Sequence, residues 1–150
     1  MKDFLIPVFT FFAGLFSGLV PHVQKPLTDY RKTLSDISTQ IIGNTLLIYG
    51  DPWNSGSGDS REKNNAELKK LYTDLRIRHA KLLSSSGTIP RFARPTLRWV
   101  GLLRSEAQIE EGAKMLIGIS NQVMSSHKDL PHLTELIKRL GAALDINVDR

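Results

Sequence analysis

The sequence contains no cysteine. That absence removes disulfide frameworks, thiolate metal sites, iron–sulfur clusters and cysteine nucleophiles together, and leaves the redox compartment open. Aromatic residues are scarce at 7% and unevenly spread, with Phe4, Phe9, Phe11, Phe12 and Phe16 making five of the six phenylalanines. Two other absences are local. Residues 4–24 hold no Asp, Glu, Lys or Arg, and residues 75–105 hold no Asp or Glu. The rest is ordinary for a folded chain: 41% of the 150 residues are hydrophobic and 23% charged, which excludes collagen-like, mucin-like and wholly disordered material. Such a length accommodates one cored domain. Twenty Lys and Arg against fifteen Asp and Glu give a net charge of +5, a mild bias toward anionic partners.

The charge-free stretch 4–24 is dense in Phe, Leu, Ile and Val. As a helix it would reach about 31 Å, near the hydrocarbon thickness of a bilayer. The segment therefore predicts a membrane anchor over residues 1–24, contacting lipid through residues 4–24. A cleaved secretory leader is the first alternative, but Ser17-Gly18-Leu19-Val20-Pro21 is a poor cleavage site. A helix buried in a water-soluble fold is the second, and a small domain has difficulty enclosing so many phenylalanines. Lys2 stands before the span and Lys25, Arg31 and Lys32 after it, so the bulk of the chain is expected on the cytoplasmic side of an inner membrane. Gly14 and Gly18, with Ala13 and Ser17 beside them, provide small-residue pairs four apart that would let anchor helices approach closely.

Beyond the anchor, residues 25–150 read as helical. Pro21 and Pro26 are expected to break the chain, with Pro26 opening a new helix. Leu27, Tyr30, Leu34, Ile37, Ile41 and Ile48 then form an apolar stripe to about Tyr49, interrupted at Asn44. Gly50 to Asn65 has turn composition and is expected as a mobile loop carrying Trp53, which would pin the loop to the bundle. Its glycines are not followed by the G-K-[ST] of a phosphate cradle. Leu68, Leu71, Leu75 and Leu82 mark a helix from Arg61 to Leu83, with Ser84 to Gly87 following it. Ser105 and Gln108 have capping-box spacing and open a helix lined by Ile109, Ala113, Leu116, Ser120 and Val123. Pro131 begins a last helix carrying Leu133, Leu136, Ile137, Leu140 and Leu144. The predicted fold class is all-α, an N-terminal transmembrane helix followed by a small antiparallel bundle.

Chemistry-bearing patterns are few. His79 reads as a histidine at the core edge, without a carboxylate or hydroxyl partner implied. His127, Asp129 and His132 lack a third ligand at helical spacing, Glu110 and Glu111 point in different directions, and Ser84 to Ser86 have no nucleophile-elbow context. No catalytic, metal or cofactor site is assigned, and an unrecognised enzyme is the third-ranked reading. The strongest charged feature is Arg76, Arg78, Lys81, Arg91, Arg94, Arg98 and Arg104, with Phe92 and Trp99 interleaved. Such a mixture suits acidic headgroups, phosphates or an acidic protein surface. Equally, it suits a solvated face whose arginine stems pack on helices.

Ile109-Glu110-Glu111-Gly112-Ala113 and Leu116-Ile117-Gly118-Ile119-Ser120-Asn121, with the general layout, resemble a group of small uncharacterised bacterial membrane proteins that have an N-terminal apolar helix and a helical C-terminal region. The resemblance implies bacterial origin and inner-membrane placement, and transfers no catalytic residue. The expected function is that of a membrane-anchored interaction protein binding a membrane or membrane-adjacent protein, or forming a homo-oligomer. The alternative is anionic lipid or, behind it, nucleic acid bound through residues 76–104.

Overall fold

A computed structural model describes the backbone of residues 2–50, 58–125 and 127–148, and side chains over 20–50, 62–125 and 127–148. Among these residues there are six helices and no strand: α1 (Lys2–Gly43), α2 (Thr45–Tyr49), α3 (Gly58–Thr88), α4 (Arg94–Trp99), α5 (Glu106–Met124) and α6 (Leu130–Leu144). The all-α reading is thus observed. Among the described residues no helix is long and apolar enough to cross a membrane. Most of the apolar stretch 4–24, including Gly14 and Gly18, lies outside the described side chains.

The predicted stripes turn inward, with Leu27 and Leu34 of the first one only partly buried against the core. Tyr30, Ile37, Ile41 and Ile48 face inward from α1 and α2, and Leu68, Leu71, Leu75 and Leu82 from α3. Ile109, Ala113, Leu116, Ser120 and Val123 do so from α5, and Leu133, Leu136, Ile137, Leu140 and Leu144 from α6. Side-chain pairs fix the directions. Asp36 of α1 meets Arg78 of α3 while Gln40 meets Asp74, so α3 runs against α1. Arg76 of α3 bonds Asn121 of α5, and Leu83 and Gly87 share a concavity with Ile109 and Glu110, so α5 reverses again. Glu111 pairs with Arg139, and Gly112 and Gly118 face Leu144 and Leu136, so α6 runs against α5. Lys128, just before α6, reaches the end of α2, and Asn147, just after it, accepts a hydrogen bond from Ser38. The circuit α1–α3–α5–α6 therefore closes into an antiparallel four-helix bundle.

Three expectations are corrected. Pro21 and Pro26 do not break the chain, because α1 passes through both. Each ring removes one N–H donor; the His22 carbonyl opposite Pro26 belongs to an exposed residue and can reach water, and Val23, Leu27 and Tyr30 pack on the core. The break comes at Asn44, where the Asn44 side chain donates to the Gln40 carbonyl at 2.8 Å and the Thr45 hydroxyl to that of Ile42 at 2.7 Å. The Gln40 carbonyl still accepts the Asn44 N–H at 3.2 Å, whereas the Ile42 carbonyl is taken up by the Thr45 hydroxyl, and Gly43 adds its low helix propensity. Second, residues 58–65 of the expected loop belong to α3. Residues 51–57, with Trp53, lie outside the described residues. Third, α3 does not stop at Leu83. Ser84, Ser85, Ser86 and Thr88 turn their hydroxyls onto carbonyls three residues earlier and stay helical.

Ser105 caps α5 in a full capping box with Gln108, and Asp129 caps α6 by accepting from the His132 N–H at 3.0 Å. Gly112 and Gly118 let α5 and α6 approach closely: a Cβ at Gly112 would stand 2.6 Å from the Leu144 side chain and one at Gly118 3.1 Å from Leu136.

Candidate interaction surface in the Arg-rich segment

The seven cations predicted to bind an anionic partner are distributed over the C-terminal half of α3, the turn before α4, α4 itself and the entry to α5. Most are engaged by other groups of the same chain. Arg78 pairs with Asp36 at 2.6 Å. Arg76 lies 4.7 Å from the centroid of the Tyr72 ring and donates to Asn121 at 3.1 Å, tying α3 to α5.

Arg94 works on backbone that α3 leaves unpaired. Its Nε donates to the Ile89 carbonyl and its Nη2 to the Gly87 carbonyl, both at 3.0 Å, while Nη1 reaches Glu106 at 3.2 Å. A planar guanidinium can serve three acceptors at once, which an ammonium on a flexible stem does less well. Arg98, one turn along α4, reaches the same Glu106 oxygen at 3.1 Å. The two guanidiniums, Arg98 first, hold the Glu106 carboxyl below the usual glutamate range. Arg98 Nε is buried without a hydrogen-bond partner among the described residues.

Arg104 pairs with Asp145, linking the start of α5 to the end of α6. It also borders Tyr30, which is fully buried. Burial pushes the Tyr30 phenol up, and the Arg104 backbone N–H and charge oppose that rise without meeting hydrogen-bond geometry at the hydroxyl.

The structure thus brings Arg94 and Arg98 together on Glu106 and separates the rest. Lys81 and Arg91 are exposed and form no ion pair with the described residues. Apolar side chains do stand free at this end: Trp99 is 87% exposed, Phe92 60% and Val100 48%. The sequence reading did not foresee α4, nor the inward turn of Ile89, Leu97 and Leu103.

A concavity of about 190 Å³ lies beneath Arg94 and Arg98, lined by Leu83, Leu103 and Ile109, smaller than the ~300–1,000 Å³ of most small-molecule sites. Grooves of about 360 Å³ open to solvent between α1 and α3. His79 is half-buried, His127 and His132 are exposed, and the Asp129 carboxylate is occupied as a helix cap. Glu111 is held by Arg139 at 2.6 Å, which raises the Arg139 pKa further. Among the described residues no three His, Asp or Glu side chains are grouped so as to hold a metal ion.

No protein-family model matches the chain, and no curated protein or solved structure matches it at a significant level.

Proposed function

We propose that the protein is a membrane-anchored helical interaction protein: residues 4–24 hold it in an inner membrane, the bundle stands on the cytoplasmic side, and its partner is another membrane or membrane-adjacent protein. The observation that carries the choice of partner is the internal engagement of Arg76, Arg78, Arg94, Arg98 and Arg104. A polyanion binder needs an array of cations free to displace counterions, and here most of the array already serves the fold. Nucleic acid recognition loses its main support, and no base-reading motif accompanies the segment. The anchor rests on the length, apolarity and lack of charge of residues 4–24, and on the resemblance in layout to bacterial single-pass proteins. Gly14 and Gly18 would let two such anchors pack together, making a second copy one candidate partner.

At the bundle end opposite α4, Leu46 of α2 is 88% exposed and Leu130 at the start of α6 is 44% exposed. Such residues can seat in a partner's apolar pocket. Photocrosslinking from these two positions in intact membranes tests the reading. Discrete adducts from both, and none from the charged face at Lys69 or Lys114, are expected. Uniform labelling from all four positions, or none from any, would count against a protein partner at this end.

A further inference from the structure

The connection between α3 and α5, residues 89–105, sits at the bundle end from which α1 continues toward its N-terminus. The placement follows from shared concavities: Asp29 and Lys32 of α1 line one with Ser85 and Thr88 of α3, and Tyr30 and Leu34 line another with Gly101 and Leu102. Arg94, bonded to the Gly87 carbonyl, pins α4 against that same end. Trp99, Phe92 and Val100, the exposed apolar residues of this connection, are therefore carried at the end of the bundle next to the apolar N-terminal segment.

The charges around them have one prevailing sign. Lys25, Arg31, Lys32, Lys81 and Arg91 are exposed, whereas Asp36, Glu106 and Asp145 are already taken up by Arg78, by Arg94 with Arg98, and by Arg104; Asp29 of α1 and Glu110 of α5, which lines the concavity beneath Arg94 and Arg98, are the exposed acids set against these five cations. A large amphipathic indole beside a phenylalanine, ringed by lysine and arginine, is the composition that settles at the boundary between acyl chains and acidic headgroups.

We propose that this α4 corner is a second membrane contact: Trp99 and Phe92 enter the headgroup–acyl boundary of an anionic bilayer, and Arg91 with the neighbouring cations holds the phosphates. This rests on the anchoring of residues 4–24. The bundle then stands with α4 down on the lipid and α2 with the start of α6 away from it, which leaves Leu46 and Leu130 open to a protein partner.

Trp99 reports on its own surroundings once Trp53 is replaced. The full chain carrying Trp53→Phe is reconstituted into phosphatidylcholine–phosphatidylglycerol vesicles and floated on a density gradient. In the floated material Trp99 emission shifts to the blue and is quenched by lipids brominated near the top of the acyl chain. Vesicles of phosphatidylcholine alone quench it less. The reporter moved to the far end, Trp53→Phe/Trp99→Phe/Leu46→Trp, floats equally and is not quenched. A chain that floats with Trp99 unquenched overturns the proposal and leaves the anchor standing, the result expected if the corner instead faces a protein. Quenching of both reporters overturns the orientation, and a chain that fails to float overturns the anchor and this contact together.

Discussion

Tyr30 is the largest side chain fully enclosed by the bundle, yet its hydroxyl finds no hydrogen-bond partner among the described residues. An unsatisfied buried hydroxyl costs about 1–3 kcal/mol, while the ring beneath it contributes packing that phenylalanine would keep. Tyr30→Phe is therefore expected to raise stability by about 1 kcal/mol in urea unfolding, whereas a fall of that size would mean the hydroxyl is satisfied. The pH dependence has a definite sign. Because burial raises this phenol, its contribution is present in full below the ordinary tyrosine range and lost as pH climbs from there through the raised value. Tyr30→Phe should flatten that alkaline loss. Gly112 behaves in the opposite sense. A methyl group there would stand 2.6 Å from Leu144, which is itself fully buried and has little room to withdraw. Overpacking of this kind costs about 1–3 kcal/mol, and the better helix propensity of alanine returns up to about 1. Gly112→Ala should lower the urea midpoint, and more than Gly118→Ala, where the approach is 3.1 Å.

At the scale of elements, the proline pair in α1 is the feature to test. An interior proline disfavours a helix by about 3 kcal/mol relative to alanine. If α1 is continuous, Pro26→Ala should increase helical circular dichroism and stabilise the bundle by roughly 1–3 kcal/mol. Unchanged helicity would mean that the chain leaves the helix at this point. The same element shows why sequence and structure part company. Inward stripes on α3, α5 and α6 were legible because three-and-four spacing of leucine and isoleucine admits one buried face, and Ser105 with Gln108 carried its capping geometry in its spacing. Local rules for proline, serine and asparagine were less informative, since neighbouring hydrogen bonds and packing decide whether such residues end a helix. The boundary at Asn44 and the extension through Ser84–Ser86 depend on side chains bonding their own backbone. Lys128, whose Nζ donates to the carbonyls of Leu47, Ile48 and Gly50 at 2.7, 3.1 and 2.8 Å, caps α2 from about eighty residues away. No local pattern announces such a contact. The Arg-rich segment is the clearest case: its cations could be counted in the sequence, but partners such as Asp36 and Asp145 are distant in the chain and meet them only in the closed bundle.

For the whole molecule, the four-helix core leaves apolar side chains exposed at both ends, the feature on which the proposed interaction role draws. Its two ends differ in chemistry, aromatic and basic at α4, aliphatic at α2 and the start of α6, and an anchor on α1 would orient them with respect to a bilayer. Everything in that arrangement depends on residues 4–24 being held in lipid. A single arginine at the middle of a spanning helix costs about 2.5–3.5 kcal/mol, enough to remove most of the insertion energy of one span. The most direct measurement is alkaline-carbonate extraction of membranes carrying the full chain and its Leu15→Arg variant. The account predicts that the parent chain stays in the membrane pellet and that Leu15→Arg moves to the soluble or aggregated fraction. A parent chain released by carbonate, or a variant retained as firmly as the parent, would contradict it.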